Sequence, residues 1–83
     1  ANVIEKKIYV DKYKVEDKLE FLTGKIQSGA VMEFDDLIAE CECKIECVVT
    51  FLALLELIKQ KVVRVYQASS FGNIIIERWP EDE

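Results

Sequence analysis

Histidine is absent from this chain, and with it the side chain that most readily moves a proton at neutral pH. The acidic residues are scattered over faces expected to meet solvent, and the thiols and hydroxyls have no base partner in the pattern. No catalytic residue is therefore expected. Also missing is any apolar run approaching the roughly 20 residues that span a bilayer, and the opening ANVIEKKIYV has no signal-peptide core. The expectation is a cytoplasmic protein with no membrane partner. Like charges never gather into blocks of about five that act by charge alone. The net charge of -5, from 16 acidic and 11 basic residues, opposes nonspecific adhesion to phosphate backbones. Nothing repeats and no segment is low in complexity.

Cysteine is sparse but clustered, as Cys41, Cys43 and Cys47 in a C-x-C-x3-C pattern. A structural zinc site takes four ligands, usually as two pairs, and this chain has neither histidine nor a fourth cysteine. Glu40, Glu42 or Glu46 could complete a three-thiolate set on paper. The better reading is reduced thiols, with Cys41 and Cys47 acting as small apolar residues. No metal and no cofactor are expected. Gly24, in TGK, lacks the second glycine of a phosphate-binding loop and falls inside a predicted helix.

What is present describes one small domain over 1–83, with 51% hydrophobic and 33% charged residues. Residues 1–14 read as an extended N-terminal segment, with a short strand in KIYV. The chain opens on Ala1 and closes on a polar tail over 79–83, as a C-terminal piece of a longer chain would. Val15, Leu19, Leu22 and Ile26 follow helical spacing, with Glu16, Asp17 and Glu20 early and Lys25 late, matching the helix dipole. Ser28-Gly29 supplies the stop. A brief strand is expected over Ala30 to Phe34. A second helix follows from Asp36 to about Glu42, with Asp35 or Asp36 as its cap. The third helix is expected from about Ile45 to Lys59 or Gln60.

KVVRVYQ, Lys61 to Gln67, and GNIIIER, Gly72 to Arg78, alternate and are rich in β-branched residues, so they predict a hairpin with a loop of about five residues. The order helix, short strand, helix, helix, strand, loop, strand is that of an α+β winged helix. Trp79 either anchors a partner or folds back over the edge of the core.

The third helix holds the run VVTFLALLELI, Val48 to Ile58, in which only Thr50 and Glu56 are polar. A helix apolar on both sides needs two covers, one from its own domain and one from elsewhere. On the helical wheel, with Val48 at the origin, Phe51, Leu54, Leu55 and Ile58 form one broad face, the natural core stripe. Val49, Leu52, Ala53 and Glu56 form the other, where a DNA reader would carry polar side chains. Leucine and valine there indicate contact with protein. The blander possibility is that the wing or the N-terminal stretch covers Val49 and Leu52.

VVTFLALLEL followed by IK, the extended VVRVYQ, and then FGNI closely resemble the C-terminal domain of bacterial segregation and condensation protein A. That family comprises the kleisin subunits of the SMC-based bacterial condensin. The resemblance is strong from Val48 to Arg78 and looser from Val15 to Phe34. Two departures stand out: the family more often has Asp where this chain has Asn73, and CECKIEC has no counterpart in it.

The resemblance implies a winged helix that docks on the cap side of an SMC ATPase head, while the full chain bridges two heads and binds segregation and condensation protein B through its middle. It implies a role in chromosome condensation and segregation, at the nucleoid, without sequence-specific DNA contact. It places the docking surface on Phe51, Leu52 and Leu55 of the third helix and on Phe71, Ile74 and Ile75 around the hairpin. Phe51 and Leu55 thus have two readings, core by the wheel and interface by resemblance. Of Ile74 and Ile75, strand alternation sends one to the core. The competing function is a winged-helix DNA-binding regulator, with Lys59, Lys61 and Arg64 on phosphates.

Overall fold

The structure, a computed structural model, describes residues 12–81. The strand expected in KIYV and the end of the polar tail lie outside them. Among the described residues six elements follow in chain order: α1 Val15–Gln27, β1 Met32–Glu33, α2 Phe34–Ala39, α3 Lys44–Lys59, β2 Val63–Gln67 and β3 Ile74–Arg78. The strands form one antiparallel sheet in the order β1, β3, β2. Three helices and this small sheet make the winged-helix arrangement that the element order predicts.

Helix α1 ends as expected. The Gly29 N–H donates to Ile26 O (3.0 Å) and the Ala30 N–H to Lys25 O (3.2 Å), with Gly29 at φ 88°, a left-handed cap that glycine adopts without strain. Helix α3 ends in the same motif without glycine. The Lys61 N–H donates to Ile58 O (3.0 Å) and the Val62 N–H to Leu57 O (2.9 Å), and Lys61 takes φ 59°. This cap consumes Lys61 and Val62, so β2 begins at Val63 rather than at Lys61.

Two expected boundaries shift. The strand over Ala30 to Phe34 shrinks to Met32–Glu33, because Phe34 opens α2 and sets its ring edge-on against Phe51, with centroids 6.4 Å apart. Helix α2 accordingly runs from Phe34 to Ala39, not from Asp36 to Glu42, and buries Leu37. Neither Asp35 nor Asp36 caps it. Both sit in its first turn, where they favour the dipole, and Glu33 takes the N-cap position without a side-chain bond.

Leu22 and Ile26 of α1, Leu37 of α2, Ala53, Leu54 and Leu57 of α3, Val63 of β2 and Ile76 of β3 form one buried cluster. Ile76 pairs with Val65 on one side and Met32 on the other, at the centre of the sheet. The core isoleucine of β3 is therefore Ile76, and neither Ile74 nor Ile75 takes the role that alternation assigned to one of them. Ile74 shares the face of Ile76 but lies at the loop end, where it is exposed, and Ile75 points to the opposite face, half-buried opposite Tyr66 and Glu33.

Trp79 extends the ladder, donating its backbone N–H to Val62 O (2.9 Å), and its half-buried ring lies 5.9 Å beneath the Lys61 ammonium.

Candidate functional site

Helix α3 faces inward through Val49, Thr50, Ala53, Leu54 and Leu57. The wheel placed Val49 and Ala53 outside and Phe51 and Leu55 inside, and the structure reverses both pairs. The two small residues Ala53 and Thr50 are fully buried on the inner face of α3, and α1 packs against that helix with Leu22 and Ile26 in the same core. Leu54 is buried as expected, and Ile58 is half-buried beside the cluster.

The outward face of α3 is correspondingly apolar. Val48 (51% exposed), Phe51 (46%), Leu52 (46%) and Leu55 (46%) lie at positions i, i+3, i+4 and i+7, one continuous stripe along the helix. Val48 is the member that sequence reasoning missed. Its spacing from the other three was the available signal. The Phe51–Phe34 contact joins this stripe to α2, and Glu33, the residue before Phe34, accepts a hydrogen bond from Asn73 Nδ2 at 2.6 Å. A chain of contacts therefore links the helix face to the loop of the wing. An aspartate at 73 could not donate that bond.

The loop itself runs from Ala68 to Asn73 and carries Phe71 wholly exposed, at 101%. Of the six docking candidates, Phe51, Leu52, Leu55, Phe71 and Ile74 are exposed and Ile75 is half-buried.

Ionic contacts fix the N-terminal turn of α3. The Glu46 carboxylate accepts the Glu42 backbone N–H (2.6 Å) and the Lys18 ammonium of α1 (2.8 Å), and these two donors hold its carboxyl below the usual carboxylate range. Glu42 in turn accepts the Tyr13 hydroxyl at 2.6 Å and pairs with Lys12 at 3.5 Å. These partners lower the Glu42 carboxyl, while the bond to Glu42 raises the Tyr13 phenol.

Behind this turn lie the thiols. Cys41 Sγ–H donates to Leu37 O at 3.6 Å and lies 3.8 Å from the buried Thr50 hydroxyl, and Cys47 Sγ–H reaches Ile38 O at 3.9 Å. Burial, then the neighbouring Cys47 thiol, pushes the Cys41 thiol up. All three cysteines are free, and among the described residues no three His, Cys, Asp or Glu side chains converge as a metal cluster would. No helix among the described residues is long and apolar enough to cross a membrane.

The basic residues offered for DNA are largely engaged. Arg64 Nε donates to Glu77 Oε2 at 2.6 Å, and the guanidinium also lies 5.6 Å over the Tyr66 ring. Lys61 sits over Trp79. A depression of about 450 Å³ lies beside Lys61, between Ile26, Val62, Trp79 and Pro80, and is open to solvent.

The fold and its surface define a class: a winged-helix domain whose third helix turns an apolar stripe outward where a DNA reader would carry polar side chains. The sequence model described as Segregation and condensation protein ScpA matches residues 3–79. The chain belongs to that family. The Segregation and condensation protein A of Clostridium botulinum (strain Eklund 17B / Type B) is 64% identical over 78 residues, covering 94% of this chain and 31% of the relative. That of Clostridium perfringens (strain SM101 / Type A) is 52% identical over 78 residues, covering 94% and 32%. A more distant one, from Streptococcus equi subsp. zooepidemicus, is 34% identical over 68 residues, covering 82% and 29%. The chain thus spans about a third of the length of these curated relatives.

Proposed function

We propose that this domain is the C-terminal docking module of a kleisin and fixes one end of that chain to the head of an SMC ATPase. The docking face is the α3 stripe together with the wing loop. By holding a head, the module helps close the condensin ring that condenses and segregates the chromosome in the cytoplasm, at the nucleoid. Binding of segregation and condensation protein B falls to the middle of the full-length chain. The domain supplies no chemistry of its own, and its contribution is geometric.

The observation that carries this reading is the exposure of Val48, Phe51, Leu52 and Leu55 in one stripe, on a helix whose other face is already filled by its own core. Four large apolar side chains in a row on a monomer's surface mark a protein contact. Family membership supports it, since the relatives bear the name segregation and condensation protein A. The DNA-binding alternative is disfavoured by the charge already committed between Arg64 and Glu77. Titration against an isolated SMC head at low and high salt is the test. An apolar docking face holds its affinity as salt rises, whereas binding through Lys59, Lys61 and Arg64 to phosphates weakens steeply. Absence of binding to the head at either salt refutes the proposal.

A further inference from the structure

The wing loop displays its apolar ring on a turn braced from several directions. The Gly72 N–H donates to Ser69 O (3.0 Å), closing a tight turn with Phe71 at its third position, and the Ala68 N–H donates to Asn73 O (3.1 Å) at the neck of the loop. Gln67, the last residue of β2, spans the turn from below. Its Nε2 donates to Ser70 O (3.3 Å) and to Gly72 O (3.1 Å), the carbonyls on either side of Phe71.

The amide nitrogen, with two N–H groups, makes both bonds; a carboxylate in its place would face two carbonyl oxygens. Gly72 is equally constrained, because a Cβ there would come within 2.5 Å of Ser69 Oγ and 2.9 Å of Ser69 N. Asn73 ties the same loop to Glu33 of β1. A turn this well bonded holds no core residue, only a wholly exposed phenyl ring.

We infer that Gln67 is a positioning residue that holds Phe71 outward as a preformed anchor for a pocket on the docking partner. This inference rests on the docking reading above. Binding normally loses free energy to the ordering of loops and side chains, and a ring already fixed avoids that loss. A single aromatic seated in a pocket is also the usual form of an interface hot spot. The chemistry of the receiving pocket follows from the loop's own composition. From Gln67 to Ile76 the chain carries no charged residue, so the pocket that takes Phe71 is apolar and recognises the ring by shape rather than by ion pairing. The stripe on α3 and this ring are two contacts with one partner surface.

The test is a set of titrations of the chain against an isolated SMC head, with Leu52→Glu, Phe71→Ala, Gln67→Ala and the double variant Gln67→Ala/Phe71→Ala. Phe71→Ala should weaken binding about 30-fold, the size of a hot spot. Gln67→Ala should weaken it about five-fold with an unchanged melting temperature, as expected when loop order alone is lost. The double variant should bind no more weakly than Phe71→Ala, because Gln67 acts only through the ring. Amide relaxation should show the loop around Phe71 loosened in Gln67→Ala on the ps–ns timescale.

Three results overturn the inference: a Gln67→Ala variant that binds like the wild type, a double variant weaker than Phe71→Ala by a further five-fold or so, and a Phe71→Ala variant with undiminished affinity. In each case a Leu52→Glu variant that still loses binding leaves the docking reading intact. If Leu52→Glu binds normally as well, the docking reading fails with it.

Discussion

Replacing Leu52 by Glu should separate the proposed docking face from the fold. Leu52 is 46% exposed in the middle of the α3 stripe, so roughly half of its apolar surface is still open to a partner. Full burial of a leucine side chain stabilises by about 1.5–3 kcal/mol, so covering the exposed half contributes about 1 kcal/mol. Leu52→Ala should therefore weaken docking about five-fold. Leu52→Glu adds a carboxylate desolvated without a partner, which costs at least about 3 kcal/mol more, and the affinity should fall at least about 100-fold.

The free domain should hardly notice. Glu is nearly as good a helix former as Leu, and the new charge meets only Glu56 four residues on, a repulsion of about 0.2–0.5 kcal/mol. Leu54→Glu, two residues away and buried, is the control: it should unfold the domain through an unpaired interior charge. Calorimetric titration with an SMC head, alongside a melt by circular dichroism, reads both quantities. A Leu52→Glu variant that keeps its melt and binds within about two-fold of the wild type, a gap too small for any buried contact, refutes the assignment of the stripe.

Three further outcomes concern stability. Lys61 holds a left-handed conformation that costs a non-glycine residue about 1–2 kcal/mol, while glycine's extra freedom in the unfolded chain returns about 0.5–1 and the contact with Trp79 about 0.5. Lys61→Gly should thus equal or slightly exceed the wild type in thermal melts, and Lys61→Ala, which keeps the strain and loses the ring contact, should fall below both. Asn73→Asp sets a second carboxylate against Glu33 in place of a 2.6 Å hydrogen bond, and should cost about 1 kcal/mol at neutral pH. That loss should shrink on mild acidification, because the crowded carboxyl pair binds a proton more readily in the folded state than in the unfolded one. Glu46 is depressed in the folded state by the Glu42 N–H and Lys18, so its contribution is present above its unfolded pKa and disappears as pH falls through the folded one. Glu46→Gln should lower stability by about 1 kcal/mol at neutral pH and flatten the acid limb of a denaturation series, and an unchanged limb would show that the Lys18 contact contributes nothing.

The element order was legible because its signals are local. Ser28-Gly29 ends α1 whatever packs on it, and the β-branched runs of the wing need no distant partner to be recognised. The rotation of α3 was not legible, since a helix apolar all round carries no direction in its pattern. The wheel put Phe51 and Leu55 inside, whereas the fold buries Val49 and Ala53. The start of α2 was hidden for a related reason: Phe34 reads as strand until Phe51, seventeen positions on, offers it a ring to pack against. Of the candidate site, the resemblance supplied Phe51, Leu52, Leu55 and Phe71, and Val48 could have been found from its spacing. Gln67 could not, because its role depends on two loop carbonyls whose directions no pattern encodes.

The small residues on the inner face of α3 and the large ones on its outer face belong to one physical arrangement. Val49, Thr50, Ala53, Leu54 and Leu57 supply the buried face of α3, and the core cluster includes none of Val48, Phe51, Leu52 or Leu55. Those four side chains leave an apolar face that invites self-association in a free domain. Two features oppose that outcome. The net charge of -5 keeps copies apart, and the stripe is bounded at both ends of the helix by Lys44 and Lys59. A second copy would oppose lysine to lysine wherever equivalent ends of α3 met. Both features favour the proposed docking to a different chain over pairing with itself.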